Sequence, residues 1–487
     1  MIVLKFGGSS LADAEHIRAA ARIVMSRYEQ GRTAVVLSAM KGVTNLLDEA
    51  ATAAEAGEHS YSGIIERLRD NHFKTIEALS LPEEELQPRK GAEQLFGELQ
   101  DVLHGVELVK ECSPRIKDFI LSFGERLSCT IMASLLAGDG TSARVVDTRG
   151  VVITDAAFGG AAVDFPESYQ RIVHAVEQEE AIPIITGFIA STTDGITTTL
   201  GRNGSDYTAS IVGAALNAEE IEIWTDVDGV YSADPRAVEN AFVIPRISVQ
   251  EAMELSYFGA EVIHPYTMVP AVEHEIPLRI KNSSNPEAPG TEIVHHRVQN
   301  ERMITGIASI PNVALINVEG GGMVGIPGMA SRVFRALGSA GVNIIMISQA
   351  SSEHSICIVC RDAHAKAALA SLKAELASEL DQKKIEEFQL ITDLEIVAII
   401  GENMRGRPGI SGRLFSSLGD GGVNVLAIAQ GSSEMNISFV IRREDQARAL
   451  RVVHRAFFPE QEGAGPTEGT SPEEAAGPTE GAGPKEV

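Results

Sequence analysis

The stretch "IVLKFGGSS" (Ile2–Ser10) decides how the longer part of this chain is read. An apolar run typical of a buried strand leads into a lysine, then into two glycines and two serines. A strand end of this kind delivers a fixed cation into a loop whose backbone N–H groups can approach an anion closely. No GxxxxGK[ST] follows here or anywhere else in the chain, so the glycines do not belong to a P-loop. The lysine precedes them, on the strand. From Ile2 to about Val294, short apolar strands alternate with amphipathic helices. "TAVVLSA", "ARVVD", "IPIITGFIA" and "IEIWTDVDGVY" are the clearest further strands, and "DAEHIRAAARIVMSRYEQG" reads as a capped helix with acids early and a glycine stop. Such alternation predicts an α/β unit with a largely parallel sheet sandwiched by helices. Its functional loops belong at the carboxyl ends of the strands.

Length and composition set the frame. At 487 residues the chain exceeds one compact core and divides into two or three domains. Against 41 basic residues stand 67 acidic ones, a net charge of −26, and this field repels nucleic acid and anionic membrane alike. No run of about 18 consecutive apolar residues occurs, and "MIVLKFGG" lacks the pattern of a signal peptide. Four cysteines are too few for a disulfide framework, which points to a reducing cytoplasm. Cys357 and Cys360 form a C-x-x-C within the strand-like "SICIVC", where residues three apart face opposite sides, so one metal cannot take both.

The second region repeats itself. "GGGMVGIPGMASRVFRALGSAGVNIIMISQASSEHSICIVC" from Gly320 and "GENMRGRPGISGRLFSSLGDGGVNVLAIAQGSSEMNISFVI" from Gly401 align without a gap at an offset of 81 residues. Each copy follows an apolar strand, crosses a helix and enters another strand, as paired β-α-β modules would. "GGGMVG" mimics a dinucleotide fingerprint, but its partner "GENMRG" has lost the middle glycine, and the repeat explains these residues as turns. "DVDG" lacks the glycine spacing of an EF-hand. From about Glu460 the chain is Gly, Pro and Glu with almost nothing apolar, a composition expected to stay disordered.

Two further constellations join "KFGGSS". "TTTLGRNGSDYTA" (Thr197–Ala209) places Arg202, Gly204, Ser205 and Asp206 in a turn opening a helix, suited to gripping a carboxylate or other anion. "WTDVDGVYSADPR" (Trp224–Arg236) is a strand followed by an acidic, aromatic loop. Together with "VVLSAMKGVTNLL", "SFGERLS" and "MELSYFGAEVIHP", these motifs resemble, in order, those of aspartate kinases in the amino acid kinase family. The resemblance covers roughly residues 2 to 459. "ISQASSEHSI" and "IAQGSSEMNI" look like the paired ACT (βαββαβ) modules of threonine-sensitive aspartate kinases, which are often fused to homoserine dehydrogenase. This chain has a Gly/Pro/Glu tail where that dehydrogenase would begin.

The resemblance implies an amino acid kinase fold over 1–297, paired ACT modules over 298–459 (repeats near 312–385 and 393–459) and a disordered tail over 460–487. It implies phosphoryl transfer from ATP to the side-chain carboxylate of L-aspartate, the first step of lysine, threonine and methionine biosynthesis. Lys5 and Asp206 take the catalytic positions, with Gly7, Gly8 and Ser9 against the phosphates. Arg202 matches the position holding the α-carboxylate, with Asn203, Gly204 and Ser205 beside it. Glu125 would pair with the α-ammonium, and Thr44 matches another substrate contact. Thr225, Asp226, Tyr231, Arg236 and Glu261 match nucleotide-binding positions; the family usually has a lysine at the last. Mg²⁺ would enter through the ATP phosphates, with no metal cage of protein ligands. Asn343, Gln349, Asn424 and Gln430 are the expected effector contacts, threonine the expected effector, and a homo-oligomer through the ACT modules the expected assembly. A competing reading is an amino-acid sensor with a silent kinase fold.

Overall fold

The structure is a computed structural model and describes residues 1–79, 87–177, 180–259, 265–298, 302–323, 326–349 and 354–459. Glu261 and the tail from 460 to 487 lie outside the described residues.

The first part begins with β1 (Ile2–Phe6), α1 (Ala14–Tyr28) and β2 (Thr33–Leu37). Helices follow: α2 (Val43–Glu55), α3 (Tyr61–Ala78), α4 (Gln87–Val109), α5 (Pro114–Leu121) and α6 (Phe123–Gly138). Next come β3 (Ala143–Val146), β4 (Ile153–Thr154), α7 (Phe165–Glu177), β5 (Ile182–Thr186), β6 (Ile189–Thr192), β7 (Thr197–Thr199), α8 (Gly204–Ala215) and β8 (Glu220–Thr225). β9 (Arg246–Ser248), α9 (Val249–Tyr257), α10 (Val269–Glu273), β10 (Leu278–Asn282) and β11 (Thr291–Val294) complete it.

Eight of these strands form one sheet in the order β3-β5-β2-β1-β8-β10-β11-β9, parallel except where β11 runs against β10. Helices cover both faces. Leu4 and Phe6 of β1 point into the core beneath α1 to α4 and α6, while Val3 points into the core beneath α8. The chain leaves β1 toward β2 on one side and later returns as β8 on the other. β1 and β8 therefore flank the switch point of the sheet, outside whose carboxyl ends α/β proteins bind ligands. Lys5 is the penultimate residue of β1, opposite Val36 and Ile223.

Local chemistry accounts for several boundaries. Asp13 caps α1, its carboxylate accepting from the N–H groups of Glu15 and His16. "IPIITGFIA" is not one strand but two. It breaks between β5 and β6, which join different sheets, because Phe188 takes a left-handed backbone (φ 66°) and Thr208 Oγ1 accepts its N–H. The continuous run Pro114–Gly138 is long and apolar enough to cross a membrane, with mean hydropathy 1.4 in its most apolar window, yet 72% of that window is buried inside the fold. Leu127, Ile131 and Leu136 there pack in the same core as Phe6.

The second part contains β12 (Gly306–Glu319), α11 (Met329–Ser339), β13 (Ile344–Gln349), β14 (Ser355–Arg361), α12 (Ala365–Glu375) and α13 (Ala377–Asp381). β15 (Glu387–Ile400), α14 (Ile410–Asp420), β16 (Ala427–Ala429), β17 (Asn436–Arg442) and α15 (Gln446–Phe457) follow. The repeat is carried into structure without drift: α11 and α14, and likewise β14 and β17, start and stop at the 81-residue offset. The six strands form one antiparallel sheet, β13-β14-β12-β15-β17-β16. Its two long central strands serve both modules. Val313–Glu319 of β12 lies between β14 and the start of β15, whereas Gly306–Ile310 pairs with Ile396–Ile400 at the end of β15. One module thus takes its outer strand from residues that precede the other module in sequence. The register shifts where this exchange occurs, near Asn312 (φ 58°) and Asp393 (φ 60°). Cys357 packs toward the core shared with the first part and Cys360 toward α11 and α12, so the two thiols face opposite sides. A Cβ on Gly320 would lie 2.2 Å from the carbonyl oxygen of Lys384, which gives this glycine a packing role.

A Cβ on Gly187 would stand 2.7 Å from Ser205 Cβ and 2.9 Å from Leu37 O. Gly187→Ala is expected to destabilise the fold by about 1–3 kcal/mol, read as a lowered denaturation midpoint in urea. An unchanged midpoint would mean that the β5–β6 break yields freely.

Candidate active site

The site is assembled at the switch point from three strand-to-helix junctions. The first is β1 into its glycine loop. Gly7 N–H donates to Trp224 O at 3.2 Å, turning the chain into a short 3₁₀ segment, Gly8–Leu11. A Cβ on Gly8 would lie 3.1 Å from Ala39 O, so the loop sits close against the loop that follows β2. Lys5, 8% exposed, reaches into the opening and pairs with Asp206 at 2.5 Å.

Asp206 comes from the second junction, the start of α8. Gly201 (φ 76°) and Asn203 (φ 54°) take left-handed conformations, which let the chain turn from β7 into the helix. Asp206 sits in the first turn, where the helix dipole favours its charge. Ser205 is buried and its hydroxyl accepts a 2.8 Å hydrogen bond from Ser38 Oγ. Arg202 and Asn203 are exposed at the mouth. Arg202 makes no ion pair among the described residues.

The third junction brings α6 against the loop after β2. Gly124 permits the approach, since a Cβ there would lie 2.7 Å from Ala39 Cβ. Glu125 is then 3% exposed, its Oε1 accepting Ala39 N–H at 3.1 Å while its Oε2 has no partner. Burial pushes this carboxyl from 4.5 up to about 8, and the Ala39 hydrogen bond only partly opposes it. Thr44 stands in the first turn of α2 nearby.

One cavity of about 560 Å³ unites these groups. Lys5, Gly7, Gly8 and Thr44 line it, as do Glu125 and the run Arg202–Asp206. Ser9 is half-buried in the loop but does not line the cavity. Thr225, Asp226, Tyr231 and Arg236 do not line it either. Thr225 ends β8, the strand beside β1, and the other three lie on the loop that leaves it. There Thr225 Oγ1 bonds Asp226, and Arg236 forms a bidentate pair with Asp234 at 2.8–3.2 Å. Burial and Asp228 raise the Tyr231 phenol above its ordinary range. Asn343, Gln349, Asn424 and Gln430 are exposed at the ends of β13 and β16. Those edge strands meet, with Ser348 Oγ donating to Ile428 O at 2.9 Å.

Sequence reasoning missed Asp118. This carboxylate is 2% exposed on α5, accepting from Thr199 N and Oγ1 and from Gly159 N at 2.9–3.0 Å. It braces the strand that leads to Arg202. An acid inside an apolar helix was the available signal, but nothing local says which strand it will meet.

The chain belongs to the amino acid kinase family, whose model matches residues 1–282, and it carries ACT domains matched over 316–376 and 397–457. Within that family it is homologous to aspartokinases. It is 38% identical over 463 residues to the chloroplastic bifunctional aspartokinase/homoserine dehydrogenase 2 of Arabidopsis thaliana, covering 94% of this chain and 50% of that protein. It thus spans about half the length of such bifunctional relatives. Against chloroplastic aspartokinase 1 of A. thaliana the identity is 35%, over 94% of this chain and 80% of the relative. The crystal structure of E. coli aspartokinase III in complex with aspartate and ADP superposes with a TM-score of 0.77 at 30% identity, covering 94% of this chain and all of that one.

Glu125 must be ionised to pair with an ammonium, yet below about pH 8 it is mostly protonated in the free site. kcat/KM for an amino-acid substrate should therefore rise roughly ten-fold per pH unit up to about pH 8. Glu125→Gln should flatten that limb. For stability the sign is opposite: a carboxyl raised on folding contributes fully below 4.5 and loses its contribution as pH rises toward 8. Glu125→Gln should thus be no less stable than the parent at pH 8 in thermal unfolding. A wild-type pH profile in the variant would remove Glu125 from this role.

Proposed function

We propose that this chain transfers the γ-phosphoryl group of ATP to the side-chain carboxylate of L-aspartate, giving 4-phospho-L-aspartate for lysine, threonine and methionine biosynthesis. The observation that carries this reading is the meeting, in one cavity, of the buried Lys5–Asp206 pair, the exposed Arg202 guanidinium and the unpartnered oxygen of Glu125. A cationic and an anionic anchor suit the two ends of an α-amino acid, and a second cation, Lys5, suits phosphate.

The acceptor carboxylate is ionised at neutral pH and needs no general base. The difficulty is bringing one anion against another, so catalysis rests on positioning and charge. Asp206 holds Lys5 Nζ in place, where it would meet the transferring group, while Gly7, Gly8 and Ser9 supply backbone close to the phosphates. Arg202 would grip the α-carboxylate from the turn formed with Asn203, Gly204 and Ser205. Glu125 would take the α-ammonium and Thr44 would close that side. Thr225, Asp226, Tyr231 and Arg236 would hold the nucleotide at the end of β8, Arg236 leaving Asp234 to do so. Among the described residues no three metal-ligating side chains converge. Mg²⁺ would arrive with ATP, bound through the phosphates and water.

We place the catalytic unit at 1–297 and the regulatory unit at 298–459, in a homo-oligomer formed through the ACT modules and working in a reducing cytoplasm. Threonine is the proposed effector, bound near Asn343, Gln349, Asn424 and Gln430. A route for its effect passes through α9. Tyr257 OH donates to Ile345 O of β13 at 3.3 Å, and Asn436 Nδ2 donates to Glu254 Oε2 at 2.6 Å. Glu251 accepts from Thr305 Oγ1 and from Glu402 N. α9 leads directly into the segment that contains Glu261.

Trapping with hydroxylamine should yield aspartyl hydroxamate only when both ATP and aspartate are present. Lys5→Met should lower kcat by about 10²–10³, and Arg202→Ala should raise KM for aspartate by about 10- to 100-fold. No aspartate-dependent product would overturn the assignment. Threonine at millimolar levels should slow turnover while lysine does not, and the reverse pattern would replace the effector. Asn436→Ala should keep the uninhibited rate yet need several-fold more threonine for half-inhibition.

A further inference from the structure

A second cavity, of about 660 Å³, lies behind the glycine loop on the other face of the sheet from Asp206. Its walls are α1 and the loop after β10, and its floor is Trp224. In the sheet Lys281 of β10 lies opposite Trp224 of β8, which sets its ammonium 5.1 Å from the indole centroid. Lys281 lines this cavity at 7% exposure. Among the described residues it has no hydrogen-bond or ion-pair partner, its cation–π contact aside. The nearby Glu222 is already taken, by Arg27 at 2.7 Å and by Trp224 Nε1 at 3.0 Å. A desolvated ammonium with no direct ion pair is costly, and burial lowers its pKa, the field of Glu222 only partly opposing this. Arg22, exposed on α1 and without an ion-pair partner among the described residues, adds a second cation at the rim. His16 is held by Asp13, and the remaining carboxylates, Glu15 and Glu287, are exposed.

We propose that this cavity binds a small anionic metabolite, a phosphate or carboxylate compound, with Lys281 at its base and Arg22 at its rim. The site is separate from the catalytic cavity but wired to it. Ser283 in its wall shares a 2.9 Å hydrogen bond with Ser10 of the glycine loop. Ser10 Oγ also lies 3.3 Å from Trp224 O and Ser283 Oγ 3.1 Å from Thr225 O, the last carbonyls of β8, so one hydroxyl donates across the pair while the other donates to its carbonyl. Phe6 and Trp224 stack beneath, with centroids 6.0 Å apart. Occupancy would therefore be felt where the phosphates of the nucleotide are expected.

The test is calorimetric titration of the whole chain with pyrophosphate and, separately, with citrate. Because pyrophosphate can also occupy the Lys5 site, the titrations are run in Lys5→Met protein as well. One binding event should survive Lys5→Met and weaken at least about ten-fold in Lys281→Met. Arg22→Ala, at an exposed position, should weaken it several-fold with an unchanged unfolding temperature, and it decides the matter if Lys281→Met unfolds early. Binding of pyrophosphate alone assigns a phosphate ligand; binding of citrate alone assigns a carboxylate. Binding of neither anion, or binding untouched by both Lys281→Met and Arg22→Ala, overturns the proposal. None of these readouts depends on kinase activity.

Discussion

The site depends on one buried ion pair, Lys5 with Asp206. Its partners come from opposite ends of the parallel sheet's construction, the first strand and the helix that precedes β8. Removing two charges from water costs several kcal/mol per ion, and their attraction offsets this only in good geometry. That geometry is set by the backbone. β1 is locked between β2 and β8 over all five of its residues, and Asp206 lies within the first turn of α8. Everything else in the cavity is placed relative to them: Ser205 beside Asp206, Ser38 against Ser205, Glu125 of α6 against the loop that Ser38 begins.

The ACT part is built on a different constraint. Two short modules with one open edge each could drift apart, but here β12 and β15 run through both. A change in the pairing of one module must bend a strand belonging to the other. The same sheet reaches the catalytic part along α9, through Glu251, Glu254 and Tyr257. His454 of α15 adds a contact to Ser232, within the loop leaving β8, at 3.0 Å. The two parts therefore meet as one packed body, with Leu255 and Phe258 in the same core as Leu315 and Leu394.

What could be read from the chain was local in sequence. Lys5 with its glycines and the Arg202–Asp206 run are each a strand or turn with its chemistry attached, and the structure brings them into one cavity. Glu125 alone looks like an ordinary helix acid; its burial comes from a glycine neighbour that lets α6 close on another loop. Asp118 and Ser38 were missed for the same reason, since their partners lie far along the chain. "IPIITGFIA" read as one strand because hydrophobicity has no marker for a single left-handed residue. The repeat predicted two consecutive modules, yet strand pairing is non-local and can borrow a strand from before the first.

The sequence by itself determined the α/β alternation, the duplication at 81 residues, the position of its glycine turns and the acidic charge. These follow from periodicity, composition and backbone freedom, which neighbouring residues settle among themselves. Only the tertiary structure decided which carboxylate is stripped of water, which lysine is paired and which is left alone. Lys5 and Lys281 are both strand lysines among apolar residues. One meets Asp206 and the other meets an indole face, because desolvation and pairing depend on what the fold packs alongside.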